Sequence, residues 1–156
     1  MRSRSALAVG RIASTRPAIV STDAVFEGLG GILEIETKRI RIQRAIFALT
    51  YIGTYDAPRK DDARQLIRDH IDAVRDSLLA ADAKIPQSIG LKACGVAALS
   101  YPDEILPADH LHQVVTTSST RAKNRNRAIR SLWQLARTYP GVAVALQPTP
   151  SELLSY

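Results

Sequence analysis

The residues best suited to chemistry lie close together between Arg121 and Arg130, where arginine, lysine and asparagine dominate. Arginine forks match the geometry of phosphate, and asparagine can hydrogen-bond the edge of a nucleic-acid base. A helix that begins at a Ser119 or Thr120 cap would also present its first backbone N–H groups to an anion. The pattern predicts nucleic-acid contact through Arg121, Lys123, Asn124, Arg125, Asn126, Arg127 and Arg130.

A helix over 121–137 needs an apolar side that holds it on the rest of the chain. Helical spacing places four residues there: Ile129, Leu132, Trp133 and Ala136. A preceding helix near 107–115, a Thr/Ser turn and this helix follow the order of a helix-turn-helix, although the turn lacks the glycine often found there. The alternative is a solvated face, or a basic surface that meets an acidic protein partner.

A second basic segment lies at the N terminus. Residues 1–20 carry no acid and four arginines: Arg2, Arg4, Arg11 and Arg16. This composition is typical both of a mitochondrial targeting segment and of a basic arm that orders on a partner. We therefore expect 1–20 to be an arm or a targeting segment, 21–141 to be a helical domain, and 142–156 to be a short extended tail.

The charge of the chain is unevenly distributed along its 156 residues, whose net charge is +6. Residues 23–106 are nearly neutral, with 11 basic and 13 acidic side chains, whereas 110–151 carry six basic residues and no acid. A near-neutral body with two positive ends is typical of a protein that meets polyanions. An arginine-rich composition set by a high-GC genome is the alternative explanation.

Catalytic arrangements are scarce. The single cysteine, Cys94, lies among alanine and glycine, which predicts buried packing and excludes a disulfide within the chain. His110 and His112 are two positions apart, so on a helix they diverge and cannot chelate one metal ion. No glycine-rich phosphate loop or nucleophile elbow is present. We expect no enzyme activity, no cofactor and no metal site.

Arg64 and His70 are the distant exception. Their spacing matches the loose Arg-x(4–6)-His pattern of HEPN-type ribonucleases, but this spacing is very common and here Gln65 follows the arginine. A HEPN-like ribonuclease therefore remains only a distant alternative, and His70 is interpreted as a border residue of an apolar helix face.

Helices should position these segments. The clearest runs from about Pro58 to Lys84, with Asp56 as its expected cap and with apolar residues at helical spacing: Ile67, Ile71, Val74, Leu78 and Ala81. A small-residue helix is expected over 87–99. Near 33–42 a helix is favoured over a two-stranded hairpin, because Ile35 and Ile42 continue a helical stripe.

The predicted fold is all-α, a compact bundle of about five helices with the basic arm and the extended tail. Aromatic residues are only 5% of the chain, so the core should consist of Ala, Leu, Ile and Val. No apolar run approaches the roughly 20 residues of a membrane-spanning helix. We expect a cytoplasmic protein, or one within a virion, with the mitochondrial matrix as the alternative.

The predicted function is non-catalytic binding of nucleic acid, DNA or RNA, through the helix at 121–137 and the N-terminal arm. The alternative is a helical structural or accessory subunit of a larger assembly, such as a viral or phage particle or an organellar complex. Either function would suit a homo-oligomer or a larger complex.

Overall fold

The structure is a computed structural model, and it describes residues 3–55, 57–79, 86–98 and 122–138. These ranges contain helices and no strand, which confirms the predicted all-α class. Eight helices lie within them, where about five were expected for the chain. They are α1 (Ser3–Ala13), α2 (Pro17–Val20), α3 (Asp23–Ile35), α4 (Arg39–Thr54), α5 (Lys60–Asp69), α6 (Ile71–Leu79), α7 (Pro86–Ala98) and α8 (Ala122–Thr138).

Four of the helices form a series in which each one packs on the next, although they are not neighbours along the chain. α1 packs on α4, α4 packs on α7, and α7 packs on α8; we call these four helices the stacked row. α3 packs on α4, while α5 and α6 each contact both α4 and α7; we call these three the flanking helices. α4 and α7 are therefore the two helices that connect all the others.

The core is centred on α4. The largest fully buried side chains of α4 are Ile46, Leu49 and Ile52, which lie in its mostly apolar stretch from Ala45 to Ile52. Leu29 of α3, Ile67 of α5 and Leu91 of α7 are equally buried around it. The expected core of Ala, Leu, Ile and Val is confirmed for the described residues, with Phe26 as a buried aromatic residue.

The helix predicted from Pro58 to Lys84 is two helices as far as the described residues extend. α5 ends at Asp69, and His70 (φ −114°, ψ 33°) separates it from α6, which begins at Ile71. The bend lets both helices contact α7, so that Ile67 before it and Val74 after it are both buried. Tertiary packing has overridden a continuous helical period. Leu78 and Ala81 lie outside the described side chains.

The segment 33–42 forms neither a hairpin nor one continuous helix. α3 ends at Ile35 and α4 begins at Arg39, so the predicted stripe across them is interrupted and Ile35 is 81% exposed. The Glu36 carboxylate accepts hydrogen bonds from the Arg41 guanidinium at 2.6 Å and the Lys38 backbone N–H at 3.1 Å. These contacts lower the pKa of Glu36, the Arg41 bond most, and stabilise the start of α4.

Residues 3–20 contain two helices, α1 and the short α2. α1 buries Ala6, Val9 and Ala13 and packs on α4, while its Arg4 and Arg11 are exposed. The basic N-terminal segment thus contributes a helix to the packed body through its apolar side. Whether it also serves as a binding arm or a targeting segment stays a prediction.

Glycines allow the closest helix contacts in the stacked row. A Cβ added at Gly10 of α1 would collide with the Phe47 ring of α4 and approach the Ala48 Cα to 3.2 Å. A Cβ at Gly53 of α4 would lie 2.7 Å from Val96 Cγ1 of α7. At Gly31 of α3, by contrast, a Cβ would meet nothing within 4 Å.

Alanine at these glycines should therefore act in opposite directions. We expect Gly53→Ala to lower the free energy of unfolding by about 1–2 kcal/mol, because overpacking against Val96 outweighs the gain in helix propensity. Gly31→Ala should raise it by about 0.5–1 kcal/mol, because only the propensity changes. Urea unfolding monitored by circular dichroism measures both. Equal effects would contradict the close α4–α7 contact.

Candidate nucleic-acid interface

Charge in this protein is separated by helix packing. The four helices of the stacked row contain no aspartate or glutamate at all. They carry eleven basic residues: Arg4, Arg11, Arg39, Arg41, Arg44, Lys92, Lys123, Arg125, Arg127, Arg130 and Arg137. Each helix of the row, from α1 to α8, is therefore basic in composition.

The flanking helices have the opposite balance. They carry eight acidic residues: Asp23, Glu27, Glu34, Asp61, Asp62, Asp69, Asp72 and Asp76. Only four basic residues accompany them: Lys60, Arg64, Arg68 and Arg75. Acidic and basic charges therefore lie mostly on different helices, although these helices pack on one another. A one-signed charge distribution of this kind attracts counterions and ligands of the opposite sign.

The net charge summed over a long segment of the sequence does not show this separation of acidic from basic helices. Residues 23–106 are nearly neutral in sum because they combine acidic flanking helices with the acid-free α4 and α7. Charge counted per helix and combined with the packing order gives one basic row instead of two positive ends.

The face that α8 buries differs from the predicted one. Ile129 and Trp133 were expected to face the core, but they are 46% and 62% exposed. The buried residues are Ala128 and Asn124, the latter 2% exposed. α8 packs on α7, a helix rich in alanine and glycine, and a small residue such as Ala128 permits a closer approach than a large one. The structure places Leu132 and Ala136 in α8 without describing their side chains.

This rotation determines which of the predicted site residues face solvent. Asn126 and Arg130 are exposed and Arg127 is half-buried. Arg125 is half-buried with its Nε atom inside the protein, and the buried Asn124 makes its contacts within the chain. Asn124 is thus not accessible to a base.

Among the remaining predicted residues, the structure describes the side chain of Arg16, while several others lie outside the described side chains. Arg16, between α1 and α2, is exposed like the two arginines of α1. Lys123 lies in α8, but its side chain is not among those described. Arg2 and Arg121 lie outside the described residues altogether. The first half of the proposed helix-turn-helix, near 107–115, and both His110 and His112 also lie outside the described residues.

A cluster of aromatic rings and cations was missed in the sequence. Phe47 and Tyr51 of α4 and Tyr55, the residue that follows its last turn, are spaced four residues apart, with neighbouring ring centroids 4.7 Å and 5.9 Å apart. The Lys92 ammonium of α7 lies 4.1 Å from the Tyr51 centroid and 5.6 Å from that of Tyr55. Such cation–π contacts stabilise a cation that is partly removed from water. We call Tyr51, Tyr55, Lys92 and Arg127 the Lys92 cluster.

Two effects lower the pKa of the Lys92 ammonium below its ordinary value of 10.5. Burial is the larger, because it disfavours the charged form, and the positive charge of Arg127 on α8 is the second. Arg127 therefore lies close enough to Lys92 for the two cations to repel each other. The cluster connects α4, α7 and α8, which are three neighbours of the stacked row.

The groups considered for catalysis have structural contacts. The Arg64 Nε donates to the Gly53 carbonyl at the end of α4 at 3.0 Å, and its Nη1 contacts Asp61 at 3.2 Å. His70 lies at the break between α5 and α6, and Cys94 is buried in the core. In the described part of the chain no three His, Cys, Asp or Glu side chains are grouped to hold a metal ion.

A surface cavity lies on α3, among the flanking helices. Glu27 and Glu36 are among its lining residues, beside the exposed Ile35. Two carboxylates disfavour an anionic ligand there, so the cavity is not part of the basic surface.

None of the helices within the described ranges has the length and apolar character needed to cross a membrane.

The Lys92 cluster can be tested by titration. Arg127→Gln should raise the pKa of Lys92 toward 10.5, because the neighbouring positive charge is removed while burial remains. Arg130→Gln, on the exposed side of α8, should leave it unchanged. NMR titration of the Lys92 side chain measures both.

Between the lowered pKa of Lys92 and 10.5 the unfolded chain binds this proton more tightly, so the free energy of unfolding should rise with pH over that window.

Comparisons with known proteins support the fold and give no function. No known protein family matches the sequence, and no curated protein matches it. Among solved structures, the crystal structure of an engineered protein from the Northeast Structural Genomics Consortium is similar, with a TM-score of 0.64 at 20% sequence identity. The match covers 96% of this chain and 67% of that one. At this identity the likeness shows a shared helical fold and nothing about activity.

Proposed function

We propose that this protein is a non-catalytic nucleic-acid-binding protein that contacts phosphates through the stacked row. The observation that carries the proposal is the composition of that row, which has eleven basic residues and no acid over four consecutively packed helices. Phosphate neutralisation by Lys and Arg, with release of counterions, supplies most of the affinity of such proteins. Either DNA or RNA satisfies this requirement.

The contact residues follow from exposure. On α8 the exposed Arg130 and Asn126 and the half-buried Arg127 face solvent, and Arg4 and Arg11 do so on α1. Not every cation in the row is equally available, since Arg41 makes an ion pair with Glu36 at 2.6 Å. The proposed surface therefore has its most accessible described cations on α1 and α8.

The salt dependence of binding tests this proposal. We expect affinity for a generic single-stranded oligonucleotide to fall steeply and linearly on a log–log plot against salt. Arg127→Gln with Arg130→Gln should make the slope shallower by about 1.4, because each phosphate that is no longer neutralised contributes about 0.7 to the slope. Fluorescence anisotropy at several salt concentrations measures it.

The matched control removes two positive charges from a flanking helix. Lys60→Gln with Arg68→Gln on α5 changes the net charge equally, so a uniform charge effect would alter both slopes. We expect the α5 pair to leave the slope unchanged. Binding that is absent in the native protein, or that weakens equally in both double variants, would contradict the proposal.

A second candidate is a helical subunit of a larger assembly, and the exposed apolar pair on α8 favours it. Ile129 and Trp133 are four residues apart on one side of the helix and are both exposed. Exposed apolar side chains in a group are typical of protein contacts. This candidate predicts an oligomer by light scattering that Ile129→Gln with Trp133→Gln converts to a monomer, and a native monomer would contradict it.

A further inference from the structure

The Lys92 cluster has a composition that suits a defined ligand. Its two cations come from adjacent helices, and its two rings come from α4 and the residue that caps its C terminus; none of the three helices carries an acidic residue. Lys92 is half-buried with its ammonium held against Tyr51, so the position of this charge is constrained. A lysine on the surface would be mobile and fully hydrated.

An anion is the ligand that a half-buried ammonium held against a ring favours. The nearby positive charge of Arg127 and the burial of Lys92 both add to the cost of keeping Lys92 charged. An anion at Lys92 offsets this cost, because it supplies an opposite charge. Phosphate accepts hydrogen bonds from a guanidinium fork and an ammonium together.

The aromatic side of the cluster selects among phosphate ligands. Tyr55 is 39% exposed, and its ring lies 5.6 Å from the Lys92 ammonium, close enough for one nucleotide to contact both. Exposed rings beside basic side chains are where the bases of single strands stack. In a duplex the base faces are covered by their neighbours and cannot reach such a ring.

We propose that the Lys92 cluster is a binding site for one nucleotide of single-stranded nucleic acid, with its phosphate on Lys92 and its base on Tyr55. The proposal rests on the proposed function and adds its substrate class, single strands rather than duplexes. Tyr51 positions Lys92 through the ring contact at 4.1 Å and does not itself face the base.

Three ligands of equal phosphate number separate phosphate binding from base stacking. They are a 12-nucleotide oligo-dT, an abasic 12-mer with the same backbone, and a duplex segment, each measured by anisotropy with the full chain. We expect oligo-dT to bind about tenfold more tightly than the abasic strand, and the duplex to bind no better than the abasic strand. Trp133 is the only tryptophan, and its fluorescence provides a label-free second signal.

Variants at Tyr55 assign the stacking site. Tyr55→Leu should lower the affinity for oligo-dT by about tenfold, to the level of the abasic strand, and leave abasic binding unchanged. Tyr55→Phe keeps the ring and should bind like the native protein. Tyr55 is an exposed residue at the end of α4, so both variants should fold, which circular dichroism verifies. Lys92→Gln should weaken oligo-dT and abasic binding alike.

The outcomes distinguish a failure of the nucleotide site from a failure of the proposed function on which it rests. Equal binding of oligo-dT and the abasic strand by the native protein, or an unchanged oligo-dT affinity in Tyr55→Leu, would overturn the nucleotide site while leaving phosphate binding by the row intact. The nucleotide site would also be overturned if Trp133→Leu lost the preference for oligo-dT and Tyr55→Leu kept it, because the base would then stack on α8. Absence of binding to all three ligands would overturn the proposed function itself.

Discussion

The contact between α4 and α7 is the constraint on which the rest of this structure depends. α1, α3 and α5 pack on α4, and α6 and α8 pack on α7, so these two helices must lie at a defined distance for the others to meet. Gly53 sets that distance, because its missing side chain leaves room for Val96. The Arg64 guanidinium then binds the Gly53 carbonyl and joins α5 to the same point, satisfying a backbone acceptor at the end of α4.

The same contact brings the Lys92 cluster together. Tyr51 and Tyr55 lie on either side of Gly53 in sequence, and Lys92 lies one helical turn before Val96. The close approach at Gly53 and Val96 therefore holds Lys92 against the tyrosine rings. A more distant α7 would leave the lysine in water, where it would have an ordinary pKa and no fixed position.

The sequence predicted most of the helices but few of their mutual contacts. The bounds of α7 and α8, the central place of α4 and the all-α class all follow from local composition and helical period. Period alone did not separate α5 from α6 at His70, because the apolar spacing continues across the break. It also oriented α8 by its large residues, although packing on a small-residue helix favoured Ala128. The Lys92 cluster joins residues of different helices, so no local pattern could show it.

The charge of the stacked row is a cost to folding and a source of attraction for a ligand. Neighbouring cations such as Lys92 and Arg127 repel each other, so the row must be held together by apolar contacts such as those of Leu49 and Leu91. Salt reduces this repulsion beyond a Debye length of about 8 Å at physiological ionic strength. The proposed polyanion ligand would reduce it more effectively, because its connected phosphates would lie along the row together. The arrangement that disfavours the isolated protein would thus favour the proposed complex with nucleic acid.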